Sequence, residues 1–245
     1  MIKHILSLCL ITLPFTAMSE GIVTKGDSKQ IIGKTCTSIT ITQKTGNPYE
    51  YCMTPIANKE IITKQTPATK KVYQLLTSNN FTAEHQGATG NIAFIFQEVS
   101  IDNNEVLSEN EFFNIQLGEF GKAPSDFQFR DLGKGNFGYI IESDYNDQGI
   151  KSGGINIVGE YDGKLFKDYI PTHADNYGYV GDKALAETIT YKMVFIKDKE
   201  ETVYPIEIIL NGQYKGNTYD NQSFIFNFDL NAGQYIKPEG YPLTF

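Results

Sequence analysis

Apolar and polar positions alternate along most of this chain, in short runs closed by glycine, asparagine and aspartate. Asn91 to Ile101 is an apolar run that ends in alternation, Asp102-Asn103-Asn104 turns it, and Phe112 to Phe120 resumes with Phe113, Ile115 and Leu117 on one face. Further strand-like pieces follow at Phe127 and Phe129, Phe137 to Ile141, Ile155 to Tyr161, Thr188 to Ile196, Tyr204 to Leu210 and Ser223 to Leu230. Turn chemistry stands between them at Gly133 to Asn136, Asp162-Gly163, Asp198 to Glu201, Asn211-Gly212 and Asn231 to Gly233. Asp162-Gly163 and Asn211-Gly212 read as type I′ hairpin turns. The first of these pairs Ile155 to Tyr161 with Lys164 to Ile170.

The pattern predicts a mainly β fold, all-β or α+β, built as an antiparallel meander or sandwich-like sheet. One segment departs from the period of two. Thr66-Pro67 supplies a helix start, and Val72, Tyr73, Leu75 and Leu76 form a stripe ending at Ser78, which predicts one helix over residues 67–78. Sixteen Phe and 15 Tyr with no Trp suit half-buried pleated surfaces. Gly121 to Ser125 marks a soft seam within what is otherwise one β-rich domain over residues 20–245.

The first 19 residues change the picture of where the chain works. Met1 to His4 gives a short basic start, Ile5 to Phe15 an apolar core, and Ala17-Met18-Ser19 the small residues of a cleavage site, which predicts a signal peptide over residues 1–19. The expected location is the periplasm or the exterior. Cleavage leaves Cys36 and Cys52 as the two remaining cysteines, and an even pair in an oxidising compartment predicts a disulfide. Ile39 and Ile41, the turn at Gly46-Asn47-Pro48, and Tyr49 and Tyr51 make the segment between them a stapled hairpin.

Removal of Lys3 leaves 20 basic against 29 acidic residues, a net charge of −9, which makes nucleic acid a poor partner. A protein partner fits better, and a basic one would be steered towards this surface. The mature chain holds no apolar run long enough for a spanning helix, and Pro238 and Pro242 interrupt the last strand that a membrane barrel ending at Phe245 would need.

Two polar segments carry the candidate chemistry. In Glu142 to Gly154, residues Asp144, Asn146 and Gln148 followed by Gly149 match the start of a calcium loop, but Ile155 stands where the closing acid belongs. In Pro171 to Tyr179, His173 lies beside acids and tyrosines, and with Glu142 and Asp144 it forms a weak catalytic alternative. Zinc lacks ligands, since His85 and His173 are the only mature histidines. No serine elbow is present, and Gly133 to Gly138 lacks phosphate-loop spacing. No cofactor is expected.

The expected function is that of an exported, non-enzymatic binding protein of the cell envelope, such as an inhibitor or immunity-type protein acting on a secreted enzyme or toxin. Asp144, Tyr145, Asp147, Asp175, Tyr177 and Tyr179 are the expected contacts, on loops Ser143 to Gly153 and Thr172 to Gly181 brought to one end of the sheet by the intervening hairpin. A hydrolase of cell-wall or carbohydrate material is the alternative. A calcium-stabilised carbohydrate-binding or adhesion module is the second.

Overall fold

A computed structural model of the chain describes residues 22–31, 34–42, 49–63, 67–78 and 89–244. The signal peptide assigned to residues 1–19, the Gly46-Asn47-Pro48 turn, Thr66 and His85 lie outside the described residues. Six strands form a first sheet in sequence order: β1 (Ile22–Ile31), β2 (Lys34–Thr42), β3 (Tyr49–Ile62), β4 (Thr69–Ser78), β5 (Gly90–Ser100) and β6 (Val106–Leu117). Residues 118–126 then lead to a second sheet of eight strands. These are β7 (Phe127–Gly133), β8 (Asn136–Asp147), β9 (Ile150–Tyr161), β10 (Lys164–Asp175), β11 (Thr188–Phe195), β12 (Ile206–Tyr214), β13 (Asn217–Asp229) and β14 (Gln234–Ile236). Every pairing is antiparallel between sequence neighbours, so the fold is two meanders in series. A single turn of helix, α1 (Tyr177–Val180), interrupts the second.

The second sheet curls over itself around one core. Ile140, Ile155, Ile157, Phe166 and Ile170 of its first half pack with Ile206, Ile208, Leu210, Phe224 and Phe226 of its second. Tyrosine hydroxyls tie the halves together: Tyr161 donates to the Leu230 carbonyl at 3.0 Å and Tyr235 to the Tyr204 carbonyl at 3.1 Å. The outer faces of β8 and β9 are apolar too. Tyr139, Ile141 and Val158 join Tyr73, Leu75, Ile92, Phe94 and Phe96 of the first sheet in another core. β8 and β9 are therefore buried on both faces over residues 138–141 and 153–161, which is why these stretches read as continuous apolar runs.

Glu160, fully buried at this junction, accepts from Lys71 Nζ at 2.9 Å, from the Tyr73 hydroxyl at 3.3 Å and from the Gly163 N–H at 2.7 Å. Lys71 and Tyr73 belong to the first sheet and Glu160 to the second, so one charged cluster spans the two.

Two expectations are corrected. Residues 67–78 do not form a helix; Thr69–Ser78 is strand β4, central in its sheet. Its apolar residues serve opposite faces: Tyr73 and Leu75 enter the core shared by the sheets, while Leu76 packs with Met53, Ala93 and Ile95 on the other side. Two apolar pairs separated by one polar residue mimic a helical stripe whenever a strand is covered on both sides. Asn211-Gly212 is not a hairpin turn either. β12 continues through it with a register shift between Leu210 and Gly212, and Lys215-Gly216 makes the turn, with φ of 50° and 74°. Gly212, at φ 122°, brings its backbone so close to the Thr188 carbonyl that a Cβ would lie 2.0 Å from the oxygen.

The stapled hairpin is present. Cys36 on β2 and Cys52 on β3 form a disulfide with Cα atoms 5.4 Å apart.

Candidate functional site

The polar segment from Glu142 to Gly154 is the end of a hairpin. β8 continues to Asp147, Gln148 and Gly149 form the turn at φ 50° and 85°, and β9 returns from Ile150. The loop that a calcium site would need is replaced by a strand and its two-residue turn, so Asp144, Asn146 and Gln148 follow one another along the hairpin instead of surrounding a centre. Among the described residues no group of three His, Cys, Asp or Glu is placed to hold a metal ion.

Strand alternation puts Glu142 and Asp144 on one face of β8 with Ile140, and Ser143 and Tyr145 on the other. Asp144 reaches across β9 to β10. Its Oδ1 lies 3.1 Å from His173 Nε2, and the intervening residue is Gly153, where a Cβ would stand 2.5 Å from the imidazole and 2.6 Å from the carboxylate. A glycine on the middle strand is the condition for side chains two strands apart to meet. His173 Nδ1 lies 3.1 Å from the hydroxyl of buried Thr172, and its ring stacks on Tyr191 of β11 with centroids 6.0 Å apart and planes 9° apart.

Tyr191 completes the group, with the Thr172 side chain and the Glu142 carboxylate close to its hydroxyl. Burial, reinforced by the Glu142 carboxylate, pushes this phenol up to about 12. Tyr169, packed over Gly154, is likewise pushed up to about 12 by burial and by Asp144. Tyr241 donates to the Pro171 carbonyl and pins the C-terminal segment against this end of the sheet.

The second polar segment follows directly. β10 ends at Asp175, whose Oδ1 accepts from the Tyr177 N–H at 2.7 Å and starts α1. Gly181, at φ 72°, closes the turn by donating to the Tyr177 carbonyl at 2.8 Å. Asn176 and Glu187 bond reciprocally, Asn176 N–H to the Glu187 carbonyl at 3.1 Å and Glu187 N–H to Asn176 Oδ1 at 2.7 Å. The Glu187 carboxylate takes the Lys215 and Gly216 N–H groups of the β12–β13 turn at 2.9 and 2.6 Å, which anchors the segment at both ends.

The two segments touch backbone to backbone. A Cβ on Gly149 would stand 2.4 Å from the Gly178 carbonyl carbon, and one on Gly178 would stand 2.7 Å from the Gly149 oxygen. The hairpin tip and α1 thus form one platform carrying Tyr145, Tyr177 and Tyr179, which are 46%, 49% and 67% exposed. Asp147 ends β8, Asp175 ends β10 and Asp182 follows α1, with Asp182 Oδ1 accepting from the Ala184 N–H at 2.9 Å. An open cleft of about 480 Å³ beside the platform is lined by Asp175, Tyr177, Lys183, Thr188 and Gln213.

The candidate catalytic and binding residues read from the sequence lie at this end of the second sheet: Glu142, Asp144 and His173 form a cluster with Tyr191, and the three tyrosines stand on the neighbouring tip. Tyr191, Thr172 and Gly153 were not singled out. The Gly153-Gly154 pair inside a strand-like run is the one sequence signal of a close approach there.

No family model, curated protein or solved structure matches the chain.

Proposed function

We propose that the chain is an exported, non-enzymatic binding protein of the cell envelope, an inhibitor or immunity-type protein that recognises a protein partner through the platform of the β8–β9 tip and α1. The observation that carries this reading is the Gly149–Gly178 backbone contact, which fixes two short elements against each other while three tyrosines on them stay exposed. Tyrosine on a rigid support gives apolar area and a hydrogen bond with little entropy lost on binding, and it is enriched where interfaces concentrate their energy. The surrounding aspartates favour a basic partner surface and faster encounter with it. Export is supported by the signal-like first 19 residues and by the Cys36–Cys52 disulfide. No helix among the described residues is long and apolar enough to cross a membrane.

The test is affinity capture from envelope fractions with the processed protein as bait, followed by hydrogen exchange on the recovered complex. Protection concentrated on residues 144–151 and 175–182 is expected. A partner that protects only the first sheet would place recognition elsewhere.

A second reading, a hydrolase of cell-wall or carbohydrate polymers, is favoured by the Asp144–His173–Thr172 chain of contacts beside Glu142. Thr172 is buried, so the groups open to a substrate are Glu142 and Asp144, with His173 behind them. Release of soluble fragments from sacculi or polysaccharide, lost in both Glu142→Gln and His173→Ala, would establish this reading over the first.

A further inference from the structure

Strand β8 runs past its neighbour. β7 pairs with it only as far as Phe127 opposite Ile141, whereas β8 continues to Asp147 alongside β9 alone. In a hairpin closed by a two-residue turn, the residues flanking the turn exchange both backbone hydrogen bonds, and every second pair outward does the same. Asp147, Tyr145 and Ser143 therefore direct their N–H and C=O groups to β9, and Asn146, Asp144 and Glu142 direct theirs away from it. The Asn146 N–H is taken by the Glu119 carboxylate, which confirms the alternation. Among the described residues no strand pairs with the outward groups of Glu142 and Asp144.

Opposite this edge lies the connection between the two sheets. It stands off from β8 to leave a cleft of about 340 Å³, lined by Glu119, Lys122, Asp126, Glu142, Ser143 and Asp144. The Glu119–Asn146 hydrogen bond bridges the cleft near the hairpin tip. Four carboxylates and one ammonium give the cleft a strong negative balance, and one of its walls is open strand backbone.

We infer that this cleft takes an extended basic segment of a partner protein, added as a short strand to the edge of β8. The inference rests on the protein-binding reading above and names the partner's chemistry on the flank of the same hairpin. The outward N–H and C=O groups of Glu142 and Asp144 pair with the incoming backbone, as in other strand-addition complexes. Their side chains share one face two residues apart, so the incoming strand carries Lys or Arg at alternate positions opposite them. The residues between are uncharged and lie over Ser143 and Tyr145. A second copy of this chain is a poor occupant, because the chain carries a net charge of −8 and edge-to-edge pairing would set these carboxylates against their equivalents.

Fluorescence anisotropy with a blocked, dye-labelled peptide of alternating threonine and lysine tests this directly. Companion peptides carry the same lysines in one contiguous block, or N-methyl groups at every other residue in each of the two possible frames. The alternating peptide binds the protein, and one methylation frame weakens it about tenfold or more while the other frame does not, because only alternate N–H groups of an added strand face the edge. The block peptide binds about fivefold more weakly, as does the alternating peptide to Glu142→Gln/Asp144→Asn. Equal binding of all the peptides would reduce the effect to surface charge and overturn the proposal. Absence of binding up to the protein's solubility limit would overturn it too, as would a dimer in sedimentation that protects this edge from exchange. A partner captured through the tyrosine platform while the peptides fail to bind would sink this inference alone; peptide binding without platform-dependent capture would sink the platform reading alone.

Discussion

A methyl group at residue 153 would stand 2.5 Å from the His173 ring and 2.6 Å from the Asp144 carboxylate, so Gly153→Ala separates a pair now 3.1 Å apart. Both obstructing groups are side chains with room to move, and the expected loss of stability is about 1 kcal/mol, at the low end for overpacking. Measured in a His173→Ala background by denaturant unfolding, the same substitution costs less, because the methyl then enters vacated space. Equal costs in both backgrounds would mean that Gly153 is needed for its backbone and not for the crossing it permits. The buried phenols give a second test at this scale. Burial raises Tyr139, which is fully buried, and Tyr191, which is half-buried, from 10.0 to about 12, so the folded state favours their neutral form. The stability they contribute is fully present below pH 10.0 and is lost as pH rises towards 12. Phenolate absorbance followed through alkaline titration should show a late-titrating group of tyrosines, with unfolding over the same range. The chemistry-bearing residues were legible in the sequence as types, since Glu142, Asp144 and His173 all stand in polar segments. Their meeting was not, because it depends on the order β8–β9–β10 and on the missing side chain at Gly153.

At the scale of elements, the hairpins with short turns between alternating runs were legible and the doubly buried strands were not. Asp162-Gly163 joins β9 to β10 where its turn chemistry predicts, and Tyr161 pairs with Lys164 across it. Thr69–Ser78 misled because Val72, Tyr73, Leu75 and Leu76 answer to two cores on opposite sides of one strand, a pattern that periodicity alone assigns to a helix. Glu142 to Gly154 misled in the opposite sense. Its polar residues read as a loop, yet Ser143 and Asn156 hydrogen-bond across the β8–β9 pair at 2.8 Å and the strands run on to the Gln148-Gly149 turn. A hairpin closed in this way is expected to need no ion. Thermal melts with chelator and with excess calcium should give the same midpoint; a rise of several degrees with calcium would restore the calcium-stabilised alternative.

The whole molecule is two meanders joined through one shared core, and Glu160 is the charged group at that junction. Its carboxylate is fully buried and holds Lys71 and Tyr73 of the first sheet together with the Gly163 N–H of its own hairpin. Glu160→Ala leaves the partners unpaired and should cost about 3–5 kcal/mol, whereas Glu160→Gln keeps an acceptor and costs less. Calorimetry on the two variants orders them, and equal losses would mean that the charge matters more than the hydrogen bonds. This junction sets the first sheet against one side of β8 and β9, while the polar ends of the same strands, with α1 packed against their turn, present the tyrosines and acids. Recognition is proposed to happen there. It is tested most directly by quantifying partner capture with Tyr145→Ala/Tyr177→Ala, both residues being about half exposed and so dispensable for packing. The expected result is a melting temperature close to that of the unsubstituted protein and capture reduced to background; capture at the unsubstituted level by a well-folded double variant would contradict the proposed site.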